Sequence, residues 1–525
     1  MKTIKDIPHE LVEQLKAEHI DINLTLSILN KYNNGAFANI KPVHVTEIPV
    51  IDGKQILDCR GNYSVRFSAE TVRKSLEKSG INASGFPLPA ETAGEMVFTR
   101  NDLEKIGILL SDKTAYGVLN GGSASSYIDH KKNKSFNAEL FDLYAGEFHT
   151  LEQLSRDKPK GITPAFLQPD GSPGPTYMEL KIRALCIQSL RARLQAKSSG
   201  RSPIPFFQMT SLLSDETIRK EIETYKDNPL LADLMEETGF SKQHIHTAVQ
   251  PLLAAYTHSS EGTEKNIFSK AFGKENTPRP MPGGHGQNFM VLKHIYQALY
   301  DQGIRFAYIG NIDNLGNTID PAAVGLMAVS GADAGFDFSF RTSIDVKGGV
   351  LILDGNNKIN AADIGPAISF DEILKAEDKG KHILFNCATG LFNLEYLTKN
   401  IDTIINDLPM RFSDQDKDAG KYSQAEQITW EVIGLIPHPL IFGVEKYERF
   451  LAVKILVEGL LTSGCKLDDP AFPKTNEAQA LRVLGKQLHK GLVGKLSAVY
   501  GMRLENNRWV PLSVEELMAG MQAQQ

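Results

Sequence analysis

Short apolar runs that end in polar or glycine-rich turns recur through the middle of the chain, and helical patterns separate them. This alternation is typical of an α/β protein with a mostly parallel sheet, because long crossover connections favour parallel strands. The predicted strands are 115–122, 204–211, 304–314 and 349–355, and the predicted helices between them are 179–197 and 287–303. The sequence therefore predicts a mixed, mostly parallel sheet covered by helices.

The segments on either side of this region are predicted to be helical. Amphipathic patterns predict helices over 9–20, 23–32, 68–80, 101–110, 476–496 and 513–522. We therefore predict an N-terminal helical segment over 1–110, an α/β domain over 111–455 and a small C-terminal helical region over 456–525. Two connections inside the α/β domain, 155–176 and 259–286, are rich in glycine, proline and charge. Long ordered loops of α/β proteins tend to lie at the active site.

The charge balance argues against a nucleic-acid partner, because 63 acidic and 57 basic side chains leave a net charge of -6. No stretch approaches the roughly 18 uninterrupted apolar residues of a membrane span, and the first residues contain no apolar signal core. We therefore expect a cytoplasmic protein without a membrane partner. The cysteines show no metal-ligand spacing, so we expect reduced core thiols.

Polar residues follow the predicted strands, at the edge where open α/β sheets bind ligands. Gly121 and Gly122 form either a turn whose backbone amides approach a phosphate or base, or a tight structural turn. Asp313 either holds Mg²⁺ together with bound phosphates or forms an Asx-turn. Asn386 either recognises a hydroxyl or caps the next helix. Lys454 has apolar neighbours, where an ammonium without a partner is costly to desolvate, so a phosphate partner is expected.

Nine short motifs follow one another along the α/β domain. They are LNGG at 119–122, Lys134, MTS at 209–211, QP at 250–251, PGGHGQ at 282–287, NIDNLG at 311–316, RTSIDVKGG at 341–349, FNCAT at 385–389 and RFLAVK at 449–454. In this order they resemble the motifs of the eukaryotic-type UTP–glucose-1-phosphate uridylyltransferases and related UDP-sugar pyrophosphorylases. The NIDNLG motif is identical to that of the family, and RFLAVK is close to the family's RFLPVK.

The resemblance implies a nucleotide-diphospho-sugar transferase fold, which is GT-A or Rossmann-like, and a catalytic role for the α/β domain. It implies Mg²⁺-dependent transfer of a uridylyl group from UTP to a sugar 1-phosphate, with UDP-glucose and pyrophosphate as products. The nucleotide-binding residues that it implies are Leu119, Asn120, Gly121, Gly122, Met209, Gln250, Gly284 and His285. It further implies that Asn311, Gly348 and Asn386 contact the sugar, that Asp313 binds the metal, and that Lys134 and Lys454 act on the phosphates.

The chain departs from the family at two motifs. The family turn continues as GLGTxMG, whereas residues 123–127 read SASSY and carry side chains. The glucose enzymes place a glutamate in LLEIAQVP, whereas residues 361–366 read AADIGP. Three alternatives therefore stay open: UDP-N-acetylhexosamine synthesis, broad specificity for UDP-sugars, and a sugar-nucleotide-binding protein without turnover. The oligomeric state also stays open.

Overall fold

The computed structural model describes residues 1–37, 43–342 and 345–523. The strands are β1 (Val45–Glu47), β2 (Ile56–Asp58), β3 (Ser64–Ser68), β4 (Glu95–Thr99), β5 (Thr114–Leu119), β6 (Phe206–Ser211), β7 (Ile245–Gln250), β8 (Leu252–Ala254), β9 (Tyr256–Thr257), β10 (Pro280–Pro282), β11 (Phe306–Asn311), β12 (Ala334–Phe340), β13 (Gly349–Asp354), β14 (Ile359–Asp363), β15 (Leu384–Asn393), β16 (Met410–Lys417), β17 (Gly420–Gln427), β18 (Pro439–Val444), β19 (Met502–Glu505) and β20 (Arg508–Pro511).

Helices cover both faces of the strands. They are α1 (His9–Ala17), α2 (Ile22–Asn33), α3 (Ala69–Lys78), α4 (Arg100–Leu109), α5 (His130–Phe136), α6 (Ala138–Leu143), α7 (Ala145–Ser155), α8 (Tyr177–Gln195), α9 (Asp215–Thr224), α10 (Ala232–Thr238), α11 (Asn288–Val291), α12 (Lys293–Asp301), α13 (Pro321–Ser330), α14 (Phe370–Asp378), α15 (Leu394–Asp407), α16 (Lys446–Arg449), α17 (Leu456–Thr462), α18 (Asn476–Ala498) and α19 (Val514–Gln522). Within the described ranges, no helix is long and apolar enough to cross a membrane.

An 11-stranded sheet forms the centre of the fold. Eight strands run in the order β2-β18-β12-β15-β11-β5-β6-β7, and β13 joins at β15 with β1 and β14 beside it. Within those eight strands β15 is antiparallel to both neighbours, whereas the other neighbouring pairs are parallel. The predicted mixed, mostly parallel sheet is confirmed.

The predicted strands differ in how they pair. Strands β5, β6 and β11 lie where the apolar runs predict them, and every residue of β5 is buried, as expected for a strand with helices on both faces. The run 349–355 instead forms a hairpin, because β13 pairs antiparallel with β14. Our expectation that a helix follows this run is wrong, since an apolar run does not reveal the direction of its partner.

The N-terminal segment contains the four predicted helices, α1 to α4, but it is not only helical. Strand β2 pairs in parallel with β18, and β1 pairs antiparallel with β13, so the segment contributes two strands to the central sheet. The antiparallel pair β3 and β4, whose connection contains α3, lies outside that sheet. The division at 110 and 455 stays a prediction.

The C-terminal region contains α17, α18 and α19 together with a hairpin, β19–β20, that the helical prediction lacked. One apolar cluster joins α17 to the helices α5 to α7, and it contains Tyr144, Phe148, Val457 and Leu460. The Asn133 side chain also accepts a hydrogen bond from the Val457 backbone at 2.9 Å. The helices α5 to α7 and the C-terminal region therefore share one core.

A buried ion pair links β12 to the segment after β18. The Arg449 guanidinium donates from Nε to Asp337 Oδ2 at 2.9 Å, and from Nη1 to the Thr318 carbonyl at 3.0 Å. The side chains of Arg449 and Asp337 are only 8% and 4% exposed. A buried pair of this kind stabilises the fold only while both partners are present.

Removal of the Asp337 carboxylate tests this pair. Asp337→Ala leaves the Arg449 charge buried without its partner, so we expect the free energy of unfolding to fall by about 3–5 kcal/mol, as measured by urea denaturation. Glu70→Ala is the control, because Glu70 and Lys74 form a pair in which both side chains are 74% exposed. Equal shifts for the two variants would contradict the prediction.

Candidate active site

The ends of four neighbouring strands meet at one edge of the central sheet. Asn311 at the end of β11 pairs with Leu119 at the end of β5, and Leu119 pairs with Met209 in β6. Ser211 at the end of β6 pairs with Gln250 at the end of β7. The carboxyl ends of parallel strands are where open α/β sheets bind ligands, so these predicted residues are brought together.

Gln250 connects this edge to the PGGHGQ segment. Its Nε2 donates to the Gly284 carbonyl at 2.7 Å and to Gln287 Oε1 at 2.9 Å. Gly284 has a φ of +79°, and a Cβ there would lie 2.3 Å from the Gln427 carbonyl oxygen. Only glycine fits this position, and the close approach fixes the backbone before His285.

His285 is held as a neutral ring. Its Nδ1 accepts a hydrogen bond from the Thr429 backbone N–H at 3.1 Å, so the neutral ring carries its proton on Nε2. Burial lowers the pKa of His285 to about 4, and the nearby charge of Lys454 acts in the same direction. The ring is therefore a neutral N–H donor close to Lys454.

Lys160 is the residue that sequence reasoning missed. Its ammonium donates to Asp313 Oδ2 at 2.7 Å, and it also bonds to the Val453 carbonyl. The Tyr127 ring lies 4.9 Å from the same ammonium, in a cation–π contact. Asp313 is therefore paired, and the lysine joins the NIDNLG and RFLAVK motifs.

Backbone pairing places Lys160 beside the glycine turn. The Lys160 N–H donates to the Gly122 carbonyl at 3.0 Å, and the Ala124 N–H donates to the Lys158 carbonyl at 3.0 Å. The residues between these two segments form the helices α5 to α7. Lys160 lies in the loop 155–176, which the sequence analysis predicts to lie at the active site. This prediction is the one sequence signal that pointed toward Lys160.

Lys134 lies in the last turn of α5 and is exposed. The lysine that contacts Asp313 is Lys160 rather than Lys134, and the role that the resemblance implies for Lys134 stays a prediction. Asn120 is fully buried, and its Nδ2 donates inward to Gln208 Oε1 at 3.0 Å. If Asn120 contacts a ligand, it therefore does so through its backbone.

Lys454 lies at the site, although the expectation that its ammonium is desolvated is wrong. Its neighbours Val453 and Leu456 are buried, whereas Lys454 itself is exposed. The chain turns outward here because Glu458 Oε2 accepts the Lys454 backbone N–H at 3.0 Å. The apolar neighbours belong to the core, and the lysine faces a cavity.

That cavity has a volume of about 750 Å³ and brings together the predicted sugar-contacting residues Asn311, Gly348 and Asn386 with Lys454. Asn386 lies inside β15 rather than after a strand, and its Oδ1 accepts the Ala388 backbone N–H at 2.8 Å. It therefore does not cap a helix. Two residues of the RTSIDVKGG motif, 343 and 344, lie outside the described residues.

Asn314 joins the two best-matched motifs. Its Nδ2 donates to the Arg449 carbonyl at 3.0 Å, and its Oδ1 accepts the Leu451 N–H at 2.8 Å. The ammonium of the buried Lys181 donates to the Asn314 carbonyl at 2.6 Å. NIDNLG and RFLAVK therefore form one rigid wall of the site.

Comparison with known sequences places this site in a family. The family model described as UTP–glucose-1-phosphate uridylyltransferase matches residues 172–467, which is more than half of the chain. The chain belongs to this family. The match includes Gln250, His285, Asp313 and Lys454, and it begins after the glycine turn and Lys160.

Individual relatives in this family are distant. A UTP–glucose-1-phosphate uridylyltransferase of Encephalitozoon cuniculi is 26% identical over 259 residues, which cover 45% of this chain and 52% of the relative. The Saccharomyces cerevisiae protein of the same name is 24% identical over 234 residues, which cover 44% and 41%. The chain spans about a third to about half of the length of the curated relatives that it matches.

Solved structures of similar fold include two from Trypanosoma brucei. A uridine diphosphate N-acetylglucosamine pyrophosphorylase superposes with a TM-score of 0.57 at 15% identity, covering 92% of this chain and 90% of that one. A UDP-glucose phosphorylase superposes with a TM-score of 0.52 at 16% identity, covering 89% and 80%. The predicted nucleotide-diphospho-sugar transferase fold is confirmed.

The neutral His285 makes a prediction about pH. The unfolded chain binds a proton at His285 near pH 6.5, whereas the folded chain does not until about pH 4. The unfolded state therefore binds more protons in this interval, so stability is lost as the pH falls. We expect a loss of about 2 kcal/mol by pH 5 from this group, visible as a steeper decline for the wild type than for His285→Gln in urea denaturation. Parallel curves for the two proteins would contradict it.

Proposed function

We propose that this chain transfers the uridylyl group of UTP to a sugar 1-phosphate, forming a UDP-sugar and pyrophosphate. One observation carries the proposal. Lys160, Asp313 and the segment that leads to Lys454 meet where the glycine turn and the ends of parallel strands provide backbone groups for a nucleotide. Family membership supports the same reaction class.

The chemistry requires charge neutralisation more than a protein nucleophile. An oxygen of the sugar phosphate attacks the α-phosphorus of UTP in line, and pyrophosphate leaves. Because both reactants are anions, positioning and fixed positive charge account for most of the rate increase. In our proposal Lys160 and Lys454 provide that charge, while His285 donates its Nε2–H without changing its own charge.

Asp313 is the residue that would hold Mg²⁺. The described residues contain no group of three or more acidic, histidine or cysteine side chains placed to hold a metal ion. One carboxylate is nevertheless enough, because Mg²⁺ in nucleotide sites often takes one or two carboxylates and completes its shell with phosphates and water. The Asp313 side chain is 19% exposed and is therefore accessible. A bound Mg²⁺ would supply charge stabilisation to the phosphates, and Lys160 would then be free to contact a phosphate oxygen.

The remaining predicted residues divide between the two substrates. The 119–122 backbone, Met209, Gln250 and Gly284 would hold the nucleotide at the strand ends. Asn311, Gly348 and Asn386 would contact the sugar in the cavity. Family membership favours glucose 1-phosphate as the sugar substrate. N-acetylglucosamine 1-phosphate is the alternative, and the substrate panel described next distinguishes the two.

A panel of sugar 1-phosphates tests the reaction. We expect pyrophosphate release from UTP that requires both Mg²⁺ and a sugar 1-phosphate, with glucose 1-phosphate as the best substrate. CTP in place of UTP is the control for the uridine site. If only N-acetylglucosamine 1-phosphate is turned over, our choice of sugar is wrong but the proposed reaction stands. If no member of the panel causes pyrophosphate release, the proposed enzymatic activity is wrong.

The choice between two lysines is tested by paired variants. Lys160→Ala should lower kcat by about 10²–10³-fold, because it removes a fixed positive charge from the developing phosphate charge. Lys134→Ala, which removes an exposed lysine, should leave kcat within about twofold of the wild type. Lys158→Ala controls for the loop, since it lies two residues away and is exposed. A large loss with Lys134→Ala and none with Lys160→Ala would reverse our assignment.

A further inference from the structure

Glu431 brings a carboxylate to the cavity that holds the predicted sugar-contacting residues, from an element that the sequence analysis did not assign to the site. It lies in the 3-10 helix Thr429–Leu435, two residues after Thr429, whose backbone N–H holds His285. Glu431 and Asp363 both line the cavity with Asn386. Asp363 lies in the AADIGP segment, where the glucose enzymes carry a longer glutamate. The wall of the cavity therefore has a shorter acid at that position, and Glu431 in addition.

The contacts of Glu431 leave one of its oxygens without a partner. Arg411 donates to Oε1 from Nε at 2.7 Å, and its Nη2 bonds to the same oxygen. Among the described residues Oε2 has no hydrogen-bond partner, although the side chain is only 11% exposed. A purely structural arginine–carboxylate pair commonly engages both oxygens in a fork. Here the guanidinium orients the carboxylate and leaves one acceptor available.

The charges around Glu431 and the flexibility of its side chain both support a contact between Oε2 and a ligand in the cavity. Burial raises the pKa of Glu431, the Arg411 hydrogen bonds oppose the rise, and the charge of Asp363 adds to it, so the two acids lie within electrostatic reach of each other. The terminal torsion of a glutamate is soft, so a small rotation brings Oε2 to a ligand in the cavity. A buried acceptor without a partner is costly, and a hydroxyl donor would remove that cost.

We propose that Glu431 is a sugar-specificity residue whose Oε2 accepts a hydrogen bond from a ring hydroxyl of a neutral hexose. The inference rests on the proposed function, because it assigns the cavity to the sugar of the UDP-sugar. Arg411 acts as a positioning residue, and the charges of Glu431 and Asp363 act on each other at the cavity wall. A sugar that carries a carboxylate, such as a uronic acid, is therefore disfavoured by repulsion.

Calorimetric titration of UDP and UDP-glucose measures this contact without catalysis. For Glu431→Gln we expect the Kd of UDP-glucose to rise about 10- to 100-fold, because the carboxylate acceptor is lost, and the Kd of UDP to stay within about twofold. The KM for the sugar 1-phosphate should rise in parallel, while the KM for UTP stays unchanged. Equal effects on UDP and UDP-glucose, or no effect on either, would overturn the proposal.

Glu426→Gln is the matched control. Glu426 lies directly opposite Arg411 in the β16–β17 hairpin and undergoes the same chemical change, but it does not line the cavity. We expect its affinity for UDP-glucose to equal that of the wild type. A loss equal to that of Glu431→Gln would assign the effect to the hairpin and overturn the contact.

The wild-type protein provides a test that does not depend on a variant that folds. It should bind UDP-glucose at least about tenfold more tightly than UDP-glucuronic acid, whose added carboxylate faces Asp363 and Glu431. Equal affinities would overturn the inference. If UDP-glucose binds selectively but no pyrophosphate is released in the substrate panel, the proposed function fails and the sugar contact stands. If turnover is normal and Glu431→Gln binds UDP-glucose like the wild type, the proposed function stands and the Glu431 contact fails.

Discussion

The side chain of Asn314 is the contact on which the site depends. It bonds to the backbone on both sides of Phe450, although Arg449 lies 135 residues later in the chain. The buried Arg449–Asp337 pair and the Lys181 ammonium hold the two joined segments from behind. Because these are polar contacts inside the protein, each is strong only while the others exclude water. The positions of Asp313 and Lys454 relative to each other follow from this network.

Lys160 gives the site a balanced charge before any ligand is present. An unpaired Asp313 would repel the phosphates of a nucleotide, and an unpaired lysine at 10% side-chain exposure would be costly to desolvate. Paired, they cost little, and the ammonium lies ready beside the glycine turn. A cation bound to Asp313 would repel the Lys160 ammonium toward the phosphates. The same movement would leave the carboxylate to the cation and bring the ammonium to the phosphates.

The sequence predicts the parts of the fold that local patterns determine. The apolar runs place β5, β6 and β11, and the convergence of Asn311, Leu119 and Met209 follows from the rule that parallel strands end at one edge. Pairing direction is not local, so the hairpin of β13 was missed. Lys160 was missed for a related reason: the chain leaves the site through three helices and returns, and sequence distance does not show the return. Exposure of Lys454 depends on a turn that Glu458 fixes, which its apolar neighbours do not reveal.

The core shared by the segment α5 to α7 and the C-terminal region has an evolutionary consequence. Tyr144 and Phe148 of the first segment belong to the same apolar cluster as Val457 and Leu460 of α17, so either segment without the other would expose a large apolar face to water. The two segments are therefore expected to be gained or lost together among descendants of the same ancestor.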